Sequence, residues 1–356
     1  MIERIIIENY KSIRMLDLSL GPINLLIGAN GAGKSNFISF FQLVNRIYTG
    51  AIREYSLKKG SNNLLYRGLK NSEYIKGLLD FENKYAYDFT LVPLNDESLF
   101  LGKHRYYHNT QNQKTKNYKL WHYGSYTSTQ PNPDTPTVQA ILEYLNNFKL
   151  YHFHDTSDTS SMKLSHPIDD NQYLREDAGN LAAFLYFLQE THPKHFHRIE
   201  MTIRSIASFF DRFDLKPRSL NTAQIKLEWK EQGSDMYLDA YNLSDGTLRF
   251  MALTALLMQP EPPKTIIIDE PELGLHPVAI NKLAGLIKKA AVHSQVIIST
   301  QSVGLVNNFE PEEIITVDRK DGESVFERLD NQSLQNWLED FSLGELWNKN
   351  VIGGQP

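Results

Sequence analysis

The chain has 356 residues, a formal net charge of −5 and no cysteine. That length holds two domains, or one domain with a large insertion, and the missing thiols exclude disulfides, thiolate zinc sites, iron–sulfur clusters and cysteine nucleophiles. The mild acidity does not announce a nucleic-acid partner, although it leaves a local basic face open.

Met1-Ile2-Glu3-Arg4 places charge where a signal peptide needs its apolar region. No later run approaches the roughly 18 apolar residues of a membrane span, so a soluble cytoplasmic protein without a membrane partner is expected. Residues 2–8 read as a strand, and Leu16, Leu18 and Leu20 alternate with Asp17 and Ser19 as in a half-buried one. Ile23, Leu25, Leu26 and Ile27 form a short apolar strand that ends in Gly28-Ala29-Asn30-Gly31-Ala32-Gly33-Lys34-Ser35. That octet fills every fixed position of the phosphate-binding pattern GxxxxGK[ST], and the following stretch to Val44 reads as a helix. Strand, glycine turn and helix are the context the pattern requires. The glycines let successive N–H groups face a phosphate at the positive end of the helix. Lys34 is placed for the β and γ phosphates, and the Ser35 hydroxyl for Mg²⁺.

Residues 74–79 and 85–92 read as antiparallel strands joined through Glu82-Asn83-Lys84. Lys103, Arg105, Lys114, Lys116 and Lys119 are interleaved with Tyr106, Tyr107, Tyr118, Trp121 and Tyr123, with no acid between Leu101 and Ser125. Such a segment suits a nucleic-acid backbone with exposed bases, although an edge sheet kept soluble by lysine is the preferred reading. Residues 127–137 read as a loop and 138–148 as a helix. His152 and His154 alternate with Tyr151 and Phe153 as strand residues do, and with Asp158 and His166 match no metal-ligand spacing. Helices are expected over 179–190 and 193–210. In the second, Phe196, Ile199, Ile203, Ile206 and Phe210 recur at helical spacing, while His195 and His197 point apart as surface residues. Residues 225–240 read as a hairpin turning at Gly233-Ser234.

Leu243-Ser244-Asp245-Gly246-Thr247 opens an apolar helix that runs to Met258. Beyond Pro260-Glu261-Pro262-Pro263, the run Thr265-Ile266-Ile267-Ile268 reads as a buried parallel strand delivering Asp269 and Glu270 to its carboxyl end. Asp269 is placed to hold Mg²⁺ through water, and Glu270 to orient or deprotonate an attacking water. Pro277 opens a helix with Ile280, Leu283 and Ile287 facing the core. Residues 295–299 form the next strand, and 314–317 and 324–329 pair about Asp321-Gly322. The tail, with Leu334, Trp337, Leu338, Phe341, Leu343, Leu346 and Trp347, is too apolar to hang free and is expected to dock on its own domain.

The order of phosphate loop, insertion, Ser-Asp-Gly signature, apolar strand with Asp269-Glu270, and Pro271-Glu272-Leu273-Gly274-Leu275-His276-Pro277 resembles the ABC-type ATPase core. Within that class the chain is similar to the RecF/OLD-like, SMC-related branch of stand-alone bacterial AAA-type ATPases. The likeness covers nearly the whole chain and is densest in 1–40 and 240–320. It implies an α/β fold, a P-loop ATPase head with a mixed, mainly parallel central sheet, an antiparallel β lobe and an inserted helical lobe. No coiled-coil arm is expected, because heptads do not persist anywhere between residues 50 and 240. The implied division is 1–135 for the N-terminal ATPase half with its β lobe, 136–222 for the helical insertion, 223–330 for the C-terminal ATPase half, and 331–356 for the docking tail.

The resemblance implies a Mg²⁺-dependent ATPase that closes as a head-to-tail homodimer, each ATP lying between one copy's phosphate loop and the other's signature. Carried over residue by residue, the nucleotide-binding candidates are Gly28, Asn30, Gly31, Ala32, Gly33, Lys34, Ser35 and Asn36 in one copy and Ser244 and Gly246 in its partner. Ser35 and Asp269 are the metal candidates, and Glu270, Lys34 and Gln301 the catalytic ones. Residues 274–277 take the place of the loop that crosses the dimer seam, Lys11 is a candidate nucleotide contact, and the glutamine-bearing loop of the family falls near 152–155. Gln301 stands where ABC-type ATPases usually carry a histidine; it accepts and donates hydrogen bonds but cannot become cationic, so slow hydrolysis is expected. Relatives of this appearance act in DNA repair or anti-phage defence, often beside a separately encoded effector nuclease. A non-hydrolysing ATP switch and a DNA-binding clamp are the rival readings.

Overall fold

The computed structural model describes residues 1–109, 118–124 and 136–355. Two six-stranded sheets carry the fold. The central one runs in the order Glu323–Arg328, Ile314–Lys320, Ile23–Ile27, Gln295–Thr300, Thr265–Asp269, Phe148–Tyr151. All neighbours in it are parallel except the hairpin formed by the first two strands. The second sheet is antiparallel throughout: Ile13–Ser19, Ile2–Tyr10, Ile75–Phe81, Tyr85–Pro93, Leu99–Asn109, Tyr118–Gly124. The fold is therefore the mixed α/β head with an antiparallel lobe that the sequence leads one to expect.

Parallel strands buried on both faces need apolar residues at every position, and Ile266, Ile267 and Ile268 supply them. Their alternation distributes them between two cores. Ile267 and Ile297 face the helix Lys34–Tyr48 and the antiparallel sheet, with Phe37, Phe40 and Phe41. Ile266, Ile268, Val296 and Ile298 face the other way, against the helices Leu181–Thr191, Asp245–Met258 and Pro277–Ala290. Among the described residues the longest helix has 15 residues, and none is long and apolar enough to cross a membrane. Among the described residues a coiled-coil arm has no helix to be built from.

Three expectations about elements need correction. The helix before the edge strand spans Pro136–Asn146, and Phe148 opens that strand rather than closing the helix. The strand stops at Tyr151, so His152 and His154 lie beyond it. The second long helix is Pro193–Arg204; the chain turns after it, and Phe210 begins a strand paired with Glu228–Glu231. Phe210 kept a helical spacing by coincidence, and the pairing that claims it is remote in sequence. The expected hairpin is present but shorter: Glu228–Glu231 pairs antiparallel with Tyr237–Asp239 across the turn at Gly233-Ser234, while Gln224–Ile225 pairs with His166–Pro167.

The tail packs on the second core. Leu334, Leu343, Leu346, Trp347 and Ile352 are buried there. Trp347 Nε1 donates to the Gly354 carbonyl, and Gly354 N–H donates to both carboxylate oxygens of Asp318 at 3.0 and 3.1 Å. A Cβ at Gly354 would lie 3.1 Å from the Ile27 carbonyl and 3.5 Å from Gly28 Cα, so the tail ends directly beneath the phosphate loop. Removing the indole leaves a large hole under that loop. Trp347→Ala is expected to cost about 3–5 kcal/mol of unfolding free energy, read from the midpoint of urea denaturation with unchanged slope.

Candidate active site

The phosphate loop is shaped by close approach as much as by flexibility. Gly31 and Gly33 have φ of 78° and 126°, in the region that favours glycine. Gly28 lies so near the next strand that an added Cβ would overlap the Val317 carbonyl, and one on Gly33 would overlap the Ser324 hydroxyl. The helix Lys34–Tyr48 begins at Gly33 with no side chain capping it, so its first turn presents backbone N–H groups to the loop. Asn30, Gly31 and Ser35 are exposed at the mouth, whereas Ala32 is buried. Asn36 is turned away from the mouth and donates to Ser12 Oγ at 2.7 Å.

Ser12 and Ser324 form a support that the sequence did not reveal. Ser324 N–H donates to the Ser12 carbonyl at 2.8 Å, and Ser324 Oγ donates to the Ala32 carbonyl while accepting from the Ser12 hydroxyl. Two hydroxyls more than 300 residues apart thus hold the loop's inner turn, and no local pattern signals such a pairing.

Lys34 is 5% exposed, and its ammonium donates to the carbonyls of Gly28 and Ala29. Burial lowers its pKa, while Glu270, Asp269 and Glu272 nearby favour the charged form. The strand register brings those acids close. Ile27 pairs with Thr300, and Ser299 with Asp269, so the residues after three strand ends share one edge. Ser299 Oγ donates to Asp269 Oδ1. Glu270 has φ 44°, its N–H bonds the Ser299 carbonyl at 3.0 Å, and Gln301 Nε2 donates to its carboxylate. Glu272 is buried, accepts from Thr300 and from the Gln301 backbone, and has its pKa raised by burial.

The segment 152–155 lies beside the same edge. His154 Nε2 bonds the Asp269 carbonyl at 2.8 Å, and the His152 ring approaches Gln42 of the phosphate-loop helix at 3.4 Å. Burial lowers the His152 pKa against the pull of Asp269. Lys11 is committed elsewhere: its ammonium donates to Ser39 Oγ at 2.7 Å and sits over the Tyr10 ring.

Ser244 caps the helix Asp245–Met258 by accepting from Thr247 N–H at 3.2 Å, and it is exposed. Gly246 faces its own chain, because an added Cβ would overlap the Gly274 carbonyl. Arg249, buried one turn on, binds the carbonyls of Phe153 (2.8 Å), His154 (3.1 Å) and Leu273. It locks two loops, 153–154 and that at Leu273, to the signature helix. A lone arginine inside an apolar helical run was a visible signal for such a role.

Of the basic stretch, Arg105 is spent on an ion pair with Asp88, which is buried. Its register partner supplies the acid that the local sequence lacks. Lys114 and Lys116 lie outside the described residues, and the side chain of Lys119 is likewise not described.

A family model described as "AAA domain, putative AbiEii toxin, Type IV TA system" matches residues 23–307. The chain belongs to that family. Its motif order is that of an ABC-type P-loop domain, and its fold is SMC-head-like. Its fold is similar to a solved Smc head bound to the C-winged helix domain of ScpA, with TM-score 0.62 and 18% identity over 94% of this chain and 99% of that one. It is also similar to the Smc head with an extended coiled coil bound to the C-terminal domain of ScpA, from Pyrococcus furiosus, with TM-score 0.56 and 16% identity over 95% and 98%. No curated protein matches the chain.

The residues of the AAA-domain site fit Mg²⁺ and a triphosphate. Ser35 and Asp269 offer hard oxygen donors suited to an ion that keeps water and phosphate oxygens in its shell. The cradle excludes side-chain volume at Gly28 and Gly33. Gly28→Ala is expected to weaken nucleotide affinity by about 100-fold or more, because the loop must shift off Val317 by more than its phosphate contacts tolerate. Isothermal titration with a non-hydrolysable ATP analogue measures it.

Proposed function

We propose that this AAA-family chain binds Mg-ATP at Gly28–Ser35 and hydrolyses it slowly, closing as a homodimer around the nucleotide. The observation that carries the reading is the convergence of Lys34, Asp269, Glu270 and Gln301 at one sheet edge beside an uncapped helix start. Backbone N–H groups and the Lys34 ammonium bind the triphosphate and offset its growing charge. Mg²⁺, held by Ser35 and Asp269, would supply further charge neutralisation of the phosphate oxygens.

Glu270 orients a water against the γ-phosphorus and takes its proton as the new P–O bond forms. The bond to the bridging oxygen breaks, and ADP leaves with that oxygen. Gln301 holds Glu270 by hydrogen bonding and brings no positive charge, which suits slow turnover. That same grip favours the second reading, a nucleotide switch that does not hydrolyse.

The exposed signature start supports completion of the site by a second copy. Ser244 sits at the positive end of a 14-residue helix, and Gly246 and Arg249 tie that end to 273–274. Ser244 and the Gly246 backbone of one copy then meet the γ-phosphate held by the other. The family description, with its putative toxin of a type IV toxin–antitoxin system, supports a defence-type role over DNA repair. The DNA-binding alternative is weakened by the Arg105 ion pair.

Glu270→Gln is expected to lower phosphate release by about 100-fold or more, the scale of a lost general base, and to leave ATP bound in a dimer. Light scattering after size exclusion, with and without Mg-ATP, reads the dimer; a switch would show no change in either property. Mixing Lys34→Ala with Ser244→Arg chains should restore turnover absent from each alone, since a mixed dimer keeps one intact composite site. Absence of recovery counts against sharing between copies.

A further inference from the structure

Glu272 belongs to no part of the phosphate cradle, yet it lies at the joint between the two elements that complete the site. Thr300 Oγ1 donates to Glu272 Oε1 at 2.5 Å, and the Gln301 backbone N–H donates to the same oxygen at 3.1 Å. Gln301 in turn holds the Glu270 carboxylate through Nε2. One oxygen of Glu272 therefore sets the place of the residue that sets Glu270. The other oxygen, Oε2, is buried without a hydrogen-bond partner, and the whole residue is only 8% exposed. A buried, half-satisfied carboxylate is a poor choice for a purely structural anchor.

The chain leaving Glu272 leads to the surface. Leu273 and Gly274 are exposed, the Leu273 carbonyl is bound by Arg249 of the signature helix, and the Gly274 carbonyl rests against Gly246. Arg249 and Leu273 thus connect the signature helix to a side chain that is two hydrogen bonds, through Gln301, from Glu270. Spatial intermediacy alone would be a weak warrant, but every link here is a named hydrogen bond or a backbone contact.

We infer that Glu272 is a positioning residue for hydrolysis, coupling the 273–276 loop and the signature helix to Gln301 and through it to Glu270. The inference rests on the hydrolysis proposed above. Its chemistry is acceptance of two hydrogen bonds by one oxygen, which glutamine can reproduce and alanine cannot.

The test is a double-substitution cycle on the full chain, with steady-state phosphate release and, separately, the Kd for a non-hydrolysable ATP analogue. Glu272→Ala is expected to lower kcat about tenfold or more while Kd moves less than about threefold, and Glu272→Gln to return kcat to within about threefold of the parent. Glu272→Ala combined with Gln301→Ala should be no slower than Gln301→Ala alone, because both act on Glu270 by one route. Multiplying losses, or a Kd that rises as kcat falls, would overturn the inference. Amide hydrogen exchange provides a readout independent of turnover and of the alanine variant's stability. In Glu272→Gln, closely matched exchange at 271–276 and 300–303, followed by a joint rise in Glu272→Ala, supports the coupling; a rise confined to 271–276 overturns it. Were the parent chain to release no phosphate at all, the hydrolysis reading would fall, and the exchange data would still decide whether Glu272 joins the two loops.

Discussion

The register of the parallel strands is the constraint from which the site follows. Ile27 stands beside Thr300 and Ser299 beside Asp269, so three strands stop at one level. Whatever comes next in each chain is delivered to the same edge: Gly28 with its phosphate loop, Glu270, and Gln301. Burial holds this register, because a slip by one residue would exchange the faces of Ile266, Ile267 and Ile268 between two different cores. Each such side chain contributes about 1.5–3 kcal/mol on burial, so a slipped sheet is far from degenerate with the native one. The geometry of the candidate site is in this sense a by-product of apolar packing several residues away.

Local chemistry was legible where the sequence itself is local. The phosphate loop, its strand and its helix occupy consecutive residues, and the run ending in Asp269 announces a doubly buried strand. Phe210 shows where that method stops. Its spacing after Phe196, Ile199, Ile203 and Ile206 suits a helix, but the partner that fixes it lies on Glu228–Glu231. Ser12 and Ser324 are a stronger case, since neither stands in any motif and their contact spans 312 residues. Arg249 lies between. A charge inside an apolar helix marks itself, but its carbonyl partners at 153, 154 and 273 can be known only from the fold.

The signature glycine illustrates how one residue answers two demands. A γ-phosphate approached by backbone N–H groups needs a helix start free of bulk. Gly246 meets that need, yet the Gly274 carbonyl already forbids a Cβ there within a single copy. Packing in cis, seen here, and the recognition in trans proposed above would select the same residue.

Glu270 carries the last step of this logic. Its φ of 44° is a conformation that costs a non-glycine residue about 1–3 kcal/mol. The bond from its N–H to the Ser299 carbonyl, at 3.0 Å, holds the backbone in that state, and Gln301 holds the carboxylate. A glycine would relieve the backbone and lose the carboxylate; an untethered glutamate would relax and lose its aim. The strain is tolerated because the parallel register fixes Ser299 and Gln301 on the neighbouring strand and just beyond its end. Orientation of this acid is therefore built in before nucleotide arrives, by the same strand ends that form the phosphate site, and its reorganisation on binding is correspondingly small.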